Sequence, residues 1–584
     1  MSVEALPLPL RLIQSLRRSA PAINQSLRRL LLAIYVSAFV LTVASLFAKG
    51  EMPLNGNIHD IFIWVNAALF IDSGLRPHVD FSSPLGALYL YANAAAWRLT
   101  DNVGEMPIIV GIGFAIALGI LLLGYRRYLR RWLLPEALAI IMLLALSGRQ
   151  MGEVKANLTW YGSYNRLCWI AIFVFVFVIL GRNAVAVAPS QSDRLRIAAL
   201  AGFLLGLIFF IKINFFVALC VIYGGWLFAS DAYRDLRAWA VPAMMFVVWV
   251  AGAALLGVDI AGYLQDLTSA AMARDSSEAI GLIKPVAFVL AAVLVLANVI
   301  ADWVIGNWTD LRRRLILYVG LSGGLVFALA GDFATPLEVF LIVLAYRLLD
   351  ALPSMMERPD RELLAALAAT ALIVFGSLLF VALEMYSVFL TSIHKITHYS
   401  PARSQSIAWS QSGPSAKTIR LRVPRPRAES DYSLVAEIVD RSAERPQLLR
   451  AISGLRGEAF KLYNKTYVAQ VEEGRAVMMR QGLPAGRILF PLEFSNPYAF
   501  LLGTRPPAGA LLWYHDGTTF NGDLAQSLDP VLDNSEFVLV PHVTVDPQMR
   551  VVLNGMFERY NARTLKFCEF HTGLYWSFYK RCQE

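Results

Sequence analysis

The sequence predicts an all-α polytopic membrane bundle followed by a C-terminal soluble α/β domain. Three observations point there. Of the 584 residues, 57% are hydrophobic and only 16% are charged, far from the balance of a soluble globular chain. The apolar residues fall in repeated runs of roughly 15 to 25, and a bilayer-spanning helix needs about 20. From about residue 392 the pattern breaks, and charges and prolines return.

Residues 1–29 carry Arg11, Arg17, Arg18, Arg28 and Arg29 ahead of the first apolar run, and no small-residue cleavage site follows that run. They read as a cytoplasmic basic amphipathic segment on anionic lipid, not as a cleaved signal. Residues 30–391 form the membrane domain. Spans are expected over Leu30–Phe47, Pro107–Leu123, Leu133–Ser147, Leu167–Leu180, Ile197–Ile211 and Phe215–Ala229. Further spans are expected over Ala238–Leu256, Pro285–Ile305, Leu315–Ala330, Leu337–Leu349 and Leu363–Leu390. Basic clusters at Arg126–Arg131, Arg182–Arg196, Arg234–Arg237, Arg312–Arg314 and Arg358–Arg361 occupy every second loop. The positive-inside rule makes those loops cytoplasmic. The first loop (48–84), the loops at 149–163, 258–284 and 331–336, and everything after Leu390 then lie outside. Pro84–Trp97 is a further apolar run. Counting it as a span gives twelve crossings, whereas the charge rule prefers eleven.

Residues 392–427 are a basic linker, and its KTIRLRVPRPR stretch (Lys417–Arg427) reads as an extended connector. Residues 428–584 are long enough for a core of their own. Helices are expected at Glu429–Arg450 and Asp546–Arg559, a strand at Val538–Val545, and a hairpin of Leu565–Phe570 with Leu574–Tyr579 around His571-Thr572-Gly573. Cys168 and Cys220 fall in membrane runs and act as small hydrophobes. Cys568 and Cys582 can be bridged in an oxidising compartment, although a hairpin turning near Gly573 does not set them opposite each other. The net charge of +9 sits largely in short loops, where it reports topology and gives no sign of nucleic acid.

The stretch from Asn55 to Gly86 gathers Asp60, Asp80, His59 and His78 against an apolar background. Ile58, Ile61, Phe62, Val65 and Leu69 recur at helical spacing, which predicts a helix lying in the interface plane, opened by Asn55-Gly56 and closed by Gly74 and Pro77. Asp60 is either a first-turn acid favouring the helix dipole or a general base or metal ligand at the membrane surface. Asp80 is either a turn carboxylate bonding its own backbone or a partner of Asp60. His59 and His78 are either amphipathic fillers or substrate contacts.

Lys212 and Asn214 interrupt the apolar FFIKINFF. An ammonium there either snorkels or marks a site. Tyr161, Tyr164, Asn165 and Arg166 are an aromatic belt with a snorkelling arginine, or a phosphate clamp. Glu153 and Lys155 share that loop. Asp332, in a short outer loop, either caps a helix or faces a cavity. Asp259 and Asp266 read as solvated loop acids. His515, Asp516 and His542 read as structural.

Gly74, Pro77, Asp80, Phe81, Pro84, Leu85 and Gly86 form the phrase G-x-x-P-x-x-D-F-x-x-P-L-G, with Asp60 as the leading acid. Together with Tyr164-Asn165-Arg166 and the Gly202, Gly206, Lys212 spacing, it resembles the GT-C fold glycosyltransferases over residues 30–390. Many members carry an adjacent Asp-Glu pair at the leading acid, whereas Asp60 here is followed by Ile61. The resemblance implies a GT-C-like bundle that takes a sugar from a polyprenyl-phosphate donor to an extracytoplasmic glycan or glycolipid acceptor, with inversion. It implies Asp60 and Asp80 as catalytic acids, with a divalent cation (Mg or Mn) between them. Lys212, Arg166 and Asn165 would hold the donor phosphate, and His59, His78, Tyr161, Asn214 and Asp332 would line the substrate site. No P-loop or dinucleotide glycine fingerprint is present, which suits a lipid-carried donor. It implies a multi-pass inner-membrane protein, with its N-terminus cytoplasmic and its C-terminal domain periplasmic. Two other expectations stand beside it: a transporter or flippase for a polar or lipid-linked solute, and a non-catalytic membrane assembly protein on the same fold.

Overall fold

The computed structural model of the chain describes residues 50–54, 58–129, 133–146, 148, 160, 162–181, 190–273, 285–305, 311–329, 404–411, 417–424, 464–483, 485–515, 517–520, 528–545 and 547–582, with positions 33, 37, 40 and 44. The fold is mostly helical with a strand-containing C-terminal region. Its helices are α1 Ile61–Asp72, α2 Ala87–Leu99, α3 Met106–Gly124, α4 Leu133–Leu146, α5 Ser163–Gly181, α6 Gln191–Phe209 and α7 Ile213–Ala229. Next come α8 Leu236–Leu255, α9 Ile260–Ala273, α10 Pro285–Ile305 and α11 Leu311–Leu329. The expected runs at Leu30–Phe47, Leu337–Leu349 and Leu363–Leu390 lie outside the described residues, as do residues 1–29 and Glu429–Arg450.

Among the described residues, three helical stretches are long and apolar enough to cross a membrane: Val103–Gly124, Ser163–Leu180 and Leu236–Leu255. The last two are nearly equal in hydropathy and differently placed. The Ser163–Leu180 stretch is 94% buried inside the protein, the Leu236–Leu255 stretch only 11%. Leu236, Met244, Val247, Val248 and Leu255 stand exposed along α8, and Ile116 and Ile120 along α3. Exposed apolar faces of this kind are matched to hydrocarbon, not to water. The run at Pro84–Trp97 becomes α2, whose 13 residues span about 20 Å at 1.5 Å per residue, short of a hydrocarbon core of about 30 Å.

Helix α1 corrects an expectation. It forms where the spacing placed it and ends at Ser73–Gly74, with Gly74 at φ +89°. It does not lie in an interface plane, however, because nine of its twelve residues are buried on all sides. Trp64 and Asn66 are as covered as Phe62 and Val65, so the helix has no polar face to show. Burial of each large apolar side chain contributes about 1.5–3 kcal/mol.

The cover comes from the C-terminal half. Strand β1 (Met52–Pro53) runs parallel to β3 (Thr418–Pro424), which pairs antiparallel with β2 (Ser404–Ser410). The linker read as a free connector is therefore a sheet strand as far as Pro424. Its alternation of Ile419, Leu421 and Val423 with basic residues is the period of a strand, and Ile419 and Leu421 are buried. Glu51 accepts from Arg422 at 3.0 Å, and Lys417 donates to the Thr100 carbonyl at 2.8 Å.

Beyond it lie helix α12 (Asn464–Arg480), strand β4 (Leu489–Pro491) and the short helices α13 (Tyr498–Leu502) and α14 (Asp529–Asp533). Then follow β5 (Phe537–Pro541), α15 (Pro547–Thr564), β6 (Phe567–Thr572) and β7 (Trp576–Arg581). These strands form one sheet in the order β4-β5-β7-β6. The hairpin is the expected one. Cys568 pairs with Lys580 in the ladder, yet Cys568 and Cys582 are disulfide-bonded as diagonal neighbours with Cα atoms 5.1 Å apart. The expectation that the two are not opposite is correct. A diagonal pair on one face still lies within disulfide reach.

Candidate functional site

Helix α6 ends at Phe209 and α7 starts at Ile213, so the chain between them is broken in the middle of an apolar stretch. Lys212 sits at the break in extended conformation (φ −159°, ψ 121°), and no side chain caps α7. The first loop docks on this break. Gly86 N–H donates to the Ile211 carbonyl at 3.0 Å, and Leu88 N–H donates to Phe210 at 2.9 Å. A Cβ on Gly86 would stand 2.2 Å from the Phe210 carbonyl carbon, so only glycine fits. In the Gly202, Gly206 pair the residues serve packing: added Cβ atoms would meet Pro242 and Trp249 of α8 at 2.5 and 2.0 Å.

From the break, Lys212 Nζ reaches the start of α5. It donates to Asn165 Oδ1 at 2.7 Å and lies 4.9 Å from the centre of the Tyr164 ring and 5.8 Å from that of Phe215. Arg166, one residue on, is buried. Tyr89 of α2 bonds Ser163 at 2.7 Å and packs edge-on against Tyr164 at 5.5 Å. The three phrases singled out in the sequence therefore converge, although Gly86 and Lys212 stand 126 residues apart along the chain. Asn214, in the first turn of α7, has both amide atoms buried, and neither is bonded among the described residues.

The acids are arranged otherwise. Asp60 precedes α1 and is 3% exposed, with His59 Nε2 at 3.6 Å. The His59 ring packs edge-on against Phe494 at 4.8 Å and Tyr467 at 6.0 Å, and its carbonyl accepts from Ser495 Oγ at 2.9 Å. Asp60 therefore lies beneath the C-terminal region.

Asp80 is at the other end of α1. It accepts from its own turn, the Arg76 N–H at 2.7 Å, with the Arg76 side chain at 3.7 Å. Twelve helical residues separate the two acids, about 18 Å of rise. Among the described residues no group of three or more His, Cys, Asp or Glu side chains could hold a metal ion.

His78 (φ +66°) bonds Asp266 at 2.8 Å, and the same carboxylate oxygen accepts from Ser83 N–H. Asp266, read as a solvated acid, instead ties the first loop to α9. Asp259 accepts from Gly262 N–H in the first turn of α9. His542 bonds the Leu574 carbonyl and Ser577, and the His515 ring packs on Phe494. Tyr161, Asp332, Glu153, Lys155, Asp516 and Asn55–Asn57 lie outside the described residues.

Sequence reasoning missed Glu493 and Asn66. Glu493 is fully buried, which pushes its carboxyl up to about 7 even though Thr544, the Phe494 N–H and Gln470 donate to it. Tyr467 beside it is held well above the usual phenol range by burial first and then by the charges of Glu493 and Asp60. An acid inside ILFPLEF and an amide inside IFIWVNAALF were the available signals. No family model matches this chain, and no curated protein matches it.

Proposed function

We propose that the protein is a membrane glycosyltransferase that moves a sugar from a polyprenyl phosphate to an extracytoplasmic glycan or glycolipid acceptor. The observation that carries this is the helix break at Lys212. An uncapped helix N-terminus carries partial positive charge and free N–H donors. Lys212 adds an ammonium, Asn165 and Asn214 add amides, and Arg166 follows at the next position of α5. Together they suit a phosphate.

In the proposed step Asp60 takes the proton of the acceptor hydroxyl as its oxygen attacks the anomeric carbon. The bond to the phosphate oxygen breaks on the opposite face, and polyprenyl phosphate leaves with the electron pair, so the sugar inverts. His59 can relay the proton. No step is routed through a cation. The disulfide Cys568–Cys582 supports an oxidising, extracytoplasmic setting for the C-terminal region.

The test is transfer of labelled sugar from a panel of polyprenyl-phosphate sugars by the protein in lipid. Transfer lost in Lys212→Ala and Asp60→Asn supports the reading, and full transfer in both removes these residue roles. One observation favours a second reading, a non-catalytic assembly protein: Asp60 is buried under the C-terminal region. Binding of polyprenyl phosphate with no transfer from any donor would select it.

A further inference from the structure

Between α1 and the C-terminal region runs a small cleft lined by Asn66, Phe70, Glu493, Asn496, Pro507 and Tyr514, among others. In all it holds about 20 Å³ for a water-sized group, and it opens to the surface. Asn66 is 1% exposed, and its Nδ2 donates to the Asn496 carbonyl at 2.8 Å. That bond fixes which amide atom is the oxygen. Among the described residues no donor meets Asn66 Oδ1. Native interiors rarely leave a buried acceptor unmet, so a water or a ligand hydroxyl at this position would supply the donor. On the same wall, Tyr514 Oη accepts from Leu511 N–H at 3.2 Å, which leaves its own proton to give.

The charge of the lining selects the ligand. Among the described residues it contains one acid, Glu493, and no lysine, arginine or histidine. A phosphate or a uronate would find no cation there to pair with. A neutral hydroxyl finds an acceptor in Asn66 and a donor in Tyr514, with Pro506, Pro507 and Phe490 as an apolar wall for a ring face.

We propose that this cleft is the subsite for one neutral sugar unit, which places a single hydroxyl into the cleft against Asn66 Oδ1 while its ring lies at the opening. That the sugar belongs to the acceptor rests on the transferase reading; the binding itself does not. The cleft and the Lys212 break then divide the work by charge, the anion at one and the neutral ring at the other.

The experiment is saturation-transfer difference NMR on the full chain in nanodiscs, with methyl α-mannopyranoside, methyl α-glucopyranoside and methyl β-galactopyranoside as probes. The expected result is a saturable signal from at least one glycoside, strongest on the protons flanking one hydroxyl. It should weaken fivefold or more in Asn66→Leu and in Tyr514→Phe, which keeps the ring. No saturable signal from any probe, or a signal unchanged in Tyr514→Phe, overturns the proposal and leaves the cleft to a structural water. Sugar transfer is assayed in parallel. Glycoside binding without transfer keeps the cleft and removes the transferase reading, whereas transfer without glycoside binding does the reverse.

Discussion

Lys212 and Asp60 each bring a charge into apolar surroundings, and the protein handles the two differently. Lys212 finds its partners within the helical bundle, 47 residues away on α5, and the helix end beside it shares its sign. Asp60 lies at a seam whose other wall, Tyr467, Phe494 and Ser495, comes from more than 400 residues further on. The first site is a property of the bundle. The second exists only where bundle and C-terminal region meet. A charge embedded among helices must be answered locally, because lipid offers no solvation, whereas a seam can be closed by a distant part of the chain.

Four experiments break or sharpen that contrast. The largest effect is expected from Lys212→Ala, a loss of sugar transfer of about 100-fold or more, in keeping with about 3 kcal/mol for a lost charged contact to phosphate. Retained transfer would leave the break a packing feature. Gly86→Ala comes next, since its Cβ cannot enter without moving the Phe210 backbone. Overpacking of this kind costs about 1–3 kcal/mol, so a fall in thermal midpoint with reduced transfer is expected, and a wild-type melting curve would contradict the docking.

The third concerns the seam alone. The Glu493 carboxyl holds its proton more tightly in the folded protein (about 7) than unfolded (4.5), so stability falls as pH rises across that window. The upshift corresponds to about 3 kcal/mol, fully felt above pH 7. Denaturant midpoints of wild type should decline between those pH values and flatten in Glu493→Gln; parallel curves would show that the carboxyl ionises freely when folded. The smallest effect is expected from Asp80→Asn. It perturbs one turn, and transfer should stay within about threefold of wild type, as for surface changes of about 0.5 kcal/mol. A loss comparable to that of Asp60→Asn would bring the two acids back into one mechanism.

The same contrast explains what could be read from the sequence. Lys212 was visible because an ammonium inside FFIKINFF has few cheap explanations, and the glycines of α6 and the first loop mark backbone approaches that spacing can register. Helix boundaries of α3, α4, α7, α8 and α10 follow apolar runs closely for the same reason, whereas α9 forms inside the stretch 258–284 read as a loop. Hydropathy could not tell α5 from α8, since bundle interior and lipid are equally apolar, and it gave α1 a membrane to lie on when its cover is protein. Glu493, Tyr467 and β3 belong to long-range pairing. Nothing near residue 52 in the sequence announces a partner at residue 421.

That pairing sets an order of assembly. Met52 and Pro53 lie in register with Leu421 and Arg422, and α1 is walled in by groups as late as Tyr514. While the chain is made at roughly 5–20 residues per second, the first loop therefore waits from about 20 s to over a minute for the strand that completes its sheet. Through that interval the helices can insert, but the loop that carries Asp60 has no finished shape. Completion of the seam thus doubles as a check on synthesis: a chain released before Leu421 lacks the strand that closes the sheet on Met52 and Pro53.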